Sequence, residues 1–456
     1  MRFIRLGSGT GYWGDKLDAS EVLVERGNIS YLAADMLAEL TLSIHQRIRE
    51  KNPKLGYVQQ IEPLFRGVLK TSVDKGIKII TNGGAANPEG GGEAVAAIAK
   101  EIGISGLKIG VVVGDDILPT LDASRAKGWK FTNLDTGEED VERIRGKIVA
   151  ANVYTGADRV IEGLKEGCQV IIAGRLSDNS MYVGPIMYEH GWDYTGPYVN
   201  RIASAIVVAH LLECSSASTG ALCSTWQEIP EPWKIGHPIA EVYENGEAII
   251  TKPPDTGGRV NQWTIKEQLV YEVHDPNNYI MPDGIADFTS VKLEEVGPDQ
   301  VKISQIKGKP RPDNLKVCIG YRDGFITETG AYVIWPNAWE KAQALAEIIR
   351  RRAKDVYHIE AEDFLVDFVG VNTLAGPTAP PPDPDINEIM VRIAVKTRDA
   401  TEAAKVRALG GDVAGMGLPA GTSFHTPMGT RPVFSLWPTL VPRSEVNDKL
   451  IVKKAE

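Results

Sequence analysis

Residues 147–174 read KIVAANVYTGADRVIEGLKEGCQVIIAG. Within this stretch a β-branched run is followed by a short turn, a segment with apolar residues at helical spacing, and a second apolar run. Gly167 stands where a helix ends before the next strand. This order is typical of a strand, helix and strand that cross over to form parallel neighbours, so the stretch predicts a mostly parallel sheet.

The same alternation continues on both sides, as far as about residue 225. Short β-branched runs predict strands over residues 2–7, 77–82, 107–114, 147–154 and 168–174. Apolar residues at three- and four-residue spacing predict helices over residues 30–50, 89–103, 156–167 and 203–214. The sequence therefore predicts an α/β fold, in which residues 1–225 form a Rossmann-like, mostly parallel sheet with helices on both faces.

The rest of the chain shows two further patterns. Residues 226–330 carry Asn-Gly and Gly-Pro-Asp turns between alternating segments, and predict a mixed or antiparallel β-rich hairpin region that contributes loops to the site. Residues 331–456 predict a C-terminal α+β, ferredoxin-like unit with an irregular, Gly/Pro-rich tail over 417–443. The elements predicted for this unit are a helix over 336–355, strands over 363–371 and 386–397, and a helix over 401–409.

Charge and composition exclude several classes of protein. The 456 residues contain 50 Lys and Arg against 60 Asp and Glu, a net charge of −10, which repels polyanions and argues against nucleic-acid binding. The four cysteines include no C-x-x-C pair, which favours a reducing, cytoplasmic setting. The N-terminal sequence predicts no export signal, and the apolar stretches are shorter than the roughly 20 residues that span a bilayer. We therefore expect neither a nucleic-acid nor a membrane partner.

A glycine-rich segment follows the first predicted strand. Its alternating glycines would let backbone N–H groups approach an anion, and its two hydroxyls could add hydrogen bonds. A tight glycine turn without a ligand is the alternative. The spacing meets neither the dinucleotide G-x-G-x-x-G pattern nor a P-loop. The candidate anion-binding residues of this segment are Gly7, Ser8, Gly9, Thr10 and Gly11.

Polar residues also follow the next predicted strands. In a parallel sheet, ligands bind at the carboxyl ends of the strands, so Asn82, Gly83 and Asn152 are candidate substrate contacts. Asp115 and Asp116 form an acidic pair at a strand end. One of them could act as a base or as a Mg²⁺ ligand, and a helix-capping role is the alternative.

Two further groups carry charge. Arg175 directly follows the strand over 168–174 and is placed to hold a carboxylate or phosphate; a structural ion pair with Asp178 is the alternative. His210 and Glu213 share one face of a predicted apolar helix, where they predict either a core histidine or a general acid and base.

Lys252 and Arg259 lie in a loop rich in proline and glycine. Cationic side chains on several loops of an otherwise acidic protein predict a locally bound, small anionic metabolite. A stabilising role at the rim of a surface loop is the alternative.

Several segments together resemble the acyclic terpene utilisation protein A (AtuA) family. The resemblance runs in order from about residue 2 to about residue 355, and its segments are GSGTGYWGD, ITNGGAANP, VVVGDDIL, GRLSDNS, AHLLEC, ITKPPDTGGRV, YEVHDPNNYIMPDGIADF, GPDQVKI and KGKPRPDNLKVCIGYRDGF. The resemblance implies a catabolic setting, in which citronellol- and geraniol-type compounds are degraded through branched acyl-CoA thioesters. It also implies a small companion subunit.

Two functional hypotheses follow. The first is a hydratase, lyase or isomerase of organic-acid or acyl-CoA catabolism, in which Arg175 holds the anion and Asp115, Asp116 or Asp178 moves a proton or binds Mg²⁺. His210 is the reserve base. The second is a non-catalytic or partner-dependent subunit of a catabolic complex. In either case we expect a homo-oligomer.

Overall fold

The structure is a computed structural model that describes residues 2–139, 141–359, 364–412 and 415–455, without the side chains of 424–428. The strands are β1 (Phe3–Gly11), β2 (Tyr31–Asp35), β3 (Lys78–Thr81), β4 (Lys108–Val113), β5 (Ile148–Val153), β6 (Val170–Ala173), β7 (Ile239–Tyr243), β8 (Ala248–Thr251), β9 (Tyr279–Met281), β10 (Gly284–Asp287), β11 (Lys292–Gly297), β12 (Gln300–Ser304), β13 (Lys307–Lys309), β14 (Asn314–Ile334), β15 (Phe364–Val369), β16 (Glu388–Thr397), β17 (Thr422–Pro442) and β18 (Lys449–Lys454). The helices are α1 (Asp18–Arg26), α2 (Thr41–Lys51), α3 (Ile61–Lys75), α4 (Pro88–Glu101), α5 (Leu121–Ala126), α6 (Asp158–Lys165), α7 (Ser180–His190), α8 (Val199–Glu213), α9 (Gln262–Val270), α10 (Ala338–Asp355) and α11 (Ala400–Asp412).

These elements form two compact units. The first comprises the described residues of Met1–Gly320 and Leu436–Glu456, and the second those of Tyr321–Ser435. The division into residues 1–225, 226–330 and 331–456 stays a prediction. In the part of the chain that the structure describes, no helix is both long enough and apolar enough to cross a membrane.

The first unit is built on a large mixed sheet, which confirms an α/β protein. Its strand order is β11-β12-β8-β7-β1-β2-β3-β6-β4-β18. The central strands β1, β2, β3, β6 and β4 run parallel. The predicted hairpins over 226–330 are present as β7 with β8 and β11 with β12, and they extend this same sheet with antiparallel strands.

Helices cover both faces of the parallel strands. Alternate side chains of a strand point to opposite faces, and Ile171 packs with α6, α7 and α8 while its neighbour Ile172 packs with α1, α3 and α4. With apolar layers on both faces, the central strands are buried, as parallel strands usually are. Functional groups are therefore confined to the edge where the strands end.

Three predicted elements of this unit need correction. The helix predicted over 30–50 is strand β2 followed by helix α2, because YLAAD is buried on both faces and such a run cannot be told from a helix by periodicity. The glycine-rich segment predicted as a loop belongs to strand β1. Strand β5 forms where it was predicted, but it pairs with β14 and not within the parallel sheet.

The second unit follows the element order β14, α10, β15, β16, α11 and β17, with sheet order β15-β16-β14-β17. Both predicted helices and both predicted strands of this region are present, although residue 363 lies outside the described residues. The ferredoxin-like designation stays a prediction. The prediction of an irregular tail is wrong, since most of the tail forms strand β17. This strand lies at the sheet edge, where prolines are tolerated because one row of N–H groups needs no partner.

Candidate functional site

Four parallel neighbours, β2, β3, β6 and β4, end at the same edge of the sheet. Asp35 ends β2, and Asn82, Arg175 and Asp115 lie one or two residues beyond the other three strands. The carboxyl ends of parallel strands meet, so these four side chains converge although they are far apart in the sequence. Three of the four were predicted as site residues, and Asp35 was not.

Arg175 is the central cation of this edge. The residue is only 1% exposed. Its Nη2 donates to Asp178 Oδ2 over 3.1 Å, and its Nη1 lies 2.9 Å from Asp178 Oδ1 without the alignment of a hydrogen bond. Its Cζ lies 4.1 Å from the ring centroid of Tyr154. The ion pair with Asp178 is thus present, yet Nε and Nη1 have no hydrogen-bond acceptor among the described residues.

Asp35 lies beside this ion pair and was missed from the sequence. The Nδ2 of Asn82 donates to Asp35 Oδ1 over 2.7 Å and lies 3.4 Å from Asp178 Oδ1. Thr10 also donates its hydroxyl to the Asp35 carbonyl, over 2.7 Å. Burial and then the charge of Asp178 raise the pKa of Asp35 well above its ordinary range, and Arg175 opposes this. Asp35 therefore holds its proton more tightly than an ordinary carboxyl group, next to a charged pair.

Asp115 is the second buried carboxyl group. Its Oδ2 accepts hydrogen bonds of 2.8 Å from the Arg175 backbone N–H and from Asn152 Nδ2. Burial raises the pKa of Asp115 to about 6, although these hydrogen bonds oppose the shift. The neighbouring Asp116 accepts from the Leu118 N–H, and burial raises its pKa as well. Asp115 can thus exchange a proton near neutral pH.

A cavity of about 200 Å³ lies against Asp115, Asp116 and Asn152. Its other walls come from Arg49 and from the start of α4 around Asn87. The Nη1 of Arg49 donates to the Ala86 carbonyl over 2.6 Å, so this guanidinium is held at the cavity wall. Arg49 was not predicted from the sequence, because it stands on helix α2 with other basic residues and no local pattern sets it apart.

The glycine segment of β1 has a packing role that the sequence did not reveal. A Cβ on Gly11 would lie 2.7 Å from the Ser215 backbone nitrogen, and one on Gly9 would lie 3.0 Å from the Ala33 carbonyl oxygen. The N–H groups of Ser8 and Gly11 already donate, to the Pro238 carbonyl and the Asp15 carboxylate. The segment is therefore part of a packed strand and not a loop, and two of its N–H groups are already used within the protein. Gly7 and Gly83 are likewise closely packed, against Leu23 and Met36.

His210 and Glu213 are brought together as predicted. Their Nδ1 and Oε1 atoms lie 2.9 Å apart, and His210 Nε2 lies 2.8 Å from the Gln268 carbonyl oxygen. His210 is fully buried. Both ring nitrogens are occupied by protein partners, which is the arrangement of a satisfied core histidine.

Lys252 and Arg259 contact neighbours within their own region. Lys252 Nζ donates to the Thr256 carbonyl over 2.9 Å and lies 3.4 Å from Asp299. Arg259 pairs with Glu228 over 3.1 Å. No contact described in the structure joins either cation to Arg175, and their roles as substrate contacts stay predictions.

Tyr154 connects Arg175 to a second charged pair that was also missed. Its hydroxyl donates to Glu39 Oε1 over 2.8 Å, and Lys316 Nζ contacts the same oxygen. The Lys316 ammonium lies 5.2 Å from the Tyr154 ring centroid. The pairing of β5 with β14 brings these residues together, and no local sequence signal marks it.

For Mg²⁺, no group of three or more His, Cys, Asp or Glu side chains in the described ranges is arranged to hold a metal ion.

Comparison with known protein families gives a match over nearly the whole chain. Residues 4–452 match the model of the acyclic terpene utilisation family protein AtuA. No curated protein matches the chain, and no solved structure does. The family match covers both units and all of the residues described above.

Proposed function

Because this chain belongs to the AtuA family over nearly its whole length, we propose that it is an enzyme of terpenoid catabolism in a cytoplasmic setting. Its substrate is a carboxylate or acyl-CoA intermediate, and its reaction is a proton transfer next to the anionic or thioester group. Hydratases, lyases and isomerases share this chemistry. The proposal treats the parallel strands as a Rossmann-like sheet, whose ligands bind at the carboxyl ends.

The observation that carries the proposal is the buried guanidinium of Arg175 with two unpartnered nitrogens. A buried N–H without an acceptor is costly, and a bound carboxylate or carbonyl oxygen would remove that cost. The ion pair with Asp178 includes a hydrogen bond from Nη2 and a 2.9 Å approach of Oδ1 to Nη1, and it fixes the orientation of the guanidinium. Nε and Nη1, which have no hydrogen-bond acceptor among the described residues, are then the groups that would hold the substrate.

Acid and base chemistry at this position is supplied by carboxyl groups with raised pKa values. Asp35, whose pKa is raised well above its ordinary range, would donate a proton, and Asp115, with a pKa of about 6, would accept one. A general acid or base works best when its pKa is close to the working pH. Because a hydrogen bond from the Arg175 backbone fixes Asp115, the anion-binding residue and the base are tied together at the ends of the neighbouring strands β6 and β4.

The test is ligand-induced thermal stabilisation of the purified chain by organic acids and acyl-CoAs, with Mg²⁺ as a separate addition. A ligand at 100 times its Kd adds about 2.7 kcal/mol of stability. We expect Arg175→Lys to weaken carboxylate binding about tenfold, because lysine cannot replace the fork of donors.

The matched control is Arg5→Lys. Arg5 is also a mostly buried, ion-paired arginine of the sheet, but it lies near the amino end of β1. Unchanged ligand stabilisation in Arg175→Lys would contradict the proposal.

The alternative, a partner-dependent subunit, is favoured by one observation. Trp263 Nε1 donates to Ser224, so the segment around residue 224 lies against α9. Large apolar side chains are exposed on both elements, and exposed apolar patches mark protein interfaces. These side chains are Leu222, Trp226, Trp263, Val270 and Tyr271.

We propose a different, smaller protein subunit as the occupant of this patch; a second copy of the chain in its place is the other outcome of the test. Light scattering of the purified chain and co-purification from cells grown on terpenoid acids test this. A monomer without turnover, which gains activity when a copurifying subunit is added, would favour the alternative over the stand-alone enzyme.

A further inference from the structure

We propose that Lys316 is a second anion contact of the Arg175 site, and that Glu39 is an internal carboxylate which occupies this contact until substrate binds. The proposal rests on the proposed function and names a further residue for substrate recognition. Lys316 and Glu39 lie on the exposed side of the site, and the acid and base chemistry described above does not involve them.

The contacts of Glu39 are those of a bound carboxylate ligand. A single oxygen, Oε1, accepts the Tyr154 hydroxyl over 2.8 Å and contacts the Lys316 ammonium. A phenol and an ammonium that converge on one oxygen are suited to any carboxylate of the right reach, because charge-assisted hydrogen bonds of this kind are among the stronger ones.

Tyr154 makes this contact continuous with Arg175. The ring centroid lies 4.1 Å from Arg175 Cζ and 5.2 Å from Lys316 Nζ, so both cations contact the same aromatic side chain. Arg175 is buried, whereas the side chains of Lys316 and Glu39 are 42% and 37% exposed. An incoming anion would therefore meet Lys316 before Arg175.

Charge balance explains why Glu39 would be displaced. Arg175 is neutralised by Asp178, and Lys316 by Glu39. A substrate anion bound in addition would leave excess negative charge in a partly buried cluster. If Glu39 turns into solvent and a substrate carboxylate takes its place, the net charge of the cluster is unchanged. The exchange is inexpensive, since half-exposed ion pairs contribute little free energy.

The test measures the affinity of simple carboxylates by calorimetry, with succinate and 3-methylbutanoate as probes and chloride at equal ionic strength as the reference. Glu39→Gln should tighten carboxylate binding about two- to fivefold, the range expected for loss of a half-exposed competing ion pair. Lys316→Met should weaken it by a similar factor. Both side chains are partly exposed, so we expect both variants to fold.

The matched control is Glu247→Gln. Glu247 pairs with Lys302 over 2.9 Å, and the two side chains are 35% and 33% exposed. This variant removes a similar ion pair elsewhere on the same sheet and should leave carboxylate affinity unchanged.

The outcomes separate the two proposals. If Glu39→Gln binds no tighter than the parent chain, or if Glu247→Gln tightens binding equally, the role of Glu39 is overturned, even where Arg175→Lys abolishes binding and supports the proposed function. If Glu39→Gln tightens binding but Arg175→Lys has no effect, the exchange stands and the role of Arg175 fails. Absence of carboxylate binding in every variant, Glu39→Gln included, overturns both.

Discussion

Asp115 gives the most direct test of the site's electrostatics, because its pKa shift links it to stability. Burial raises the pKa from 3.8 to about 6. Between these values the unfolded chain has released the proton while the folded chain retains it, so the free energy of unfolding must fall as pH rises. One pKa unit corresponds to about 1.36 kcal/mol. The loss is therefore about 3 kcal/mol, and it is complete somewhat above pH 6.

The variant Asp115→Asn removes this titration while it keeps an acceptor for the Arg175 N–H and the Asn152 amide. Urea unfolding of both proteins should be measured at intervals from pH 3.5 to pH 8. We expect the stability of the parent chain relative to Asp115→Asn to fall by about 3 kcal/mol over this range. Titrating groups far from Asp115 are common to both proteins and cancel in the difference, and the charge of Asp116 is one of the smaller causes of the Asp115 shift.

A useful control is a carboxyl group whose pKa is shifted in the opposite direction. Hydrogen bonds from Thr195 lower the pKa of the exposed Asp193, so the contribution of that carboxylate is lost as pH falls, and Asp193→Asn should change the profile in the opposite direction. A difference between the parent chain and Asp115→Asn that stays flat from pH 3.5 to pH 8 would refute the raised pKa. It would also remove Asp115 as a base that works near neutral pH.

Two further predictions concern packing. Gly11→Ala should destabilise the protein by about 1–3 kcal/mol, because the new Cβ would lie 2.7 Å from the Ser215 nitrogen. Gly146→Ala is the control, since a Cβ at Gly146 would have no atom within 4 Å. Equal stabilities of the two variants would show that the glycine segment is not tightly packed. His45→Phe should leave stability unchanged or raise it by about 1 kcal/mol near pH 7, because neither buried ring nitrogen of His45 has a described partner. Burial also lowers the pKa of His45 to about 4, so the parent chain should lose stability relative to His45→Phe as pH falls below about 6.5. Thermal denaturation measures both effects. Marked destabilisation by His45→Phe at pH 7 would indicate that the His45 ring makes a stabilising polar contact.

Much of the first unit could be predicted from local sequence. The run through residues 147–174 predicts strand, helix and strand, and β5, α6 and β6 are present. Because strand ends can be located from such runs, the sequence also placed Asn82, Asp115 and Arg175 at the edge where the parallel strands meet. The quoted segments were specific enough as a set to identify the family, which the match over residues 4–452 confirms.

The remaining site residues depended on tertiary structure. Asp35 was hidden because a strand buried on both faces has the same continuous apolar pattern as a buried helix. The glycines of β1 were interpreted as a loop. In the structure they are needed because the backbones of Ser215 and Ala33, from distant parts of the chain, approach them closely.

The sequence by itself determined most of the alternation of strands and helices and which charged residues stand at strand ends, since both depend on residues only a few positions apart. Only the tertiary structure decided that Glu39, Tyr154 and Lys316 meet beside Arg175. Strand β5 leaves the parallel sheet to pair with β14. That choice is made by hydrogen bonds and packing between segments more than 100 residues apart, for which local periodicity carries no signal.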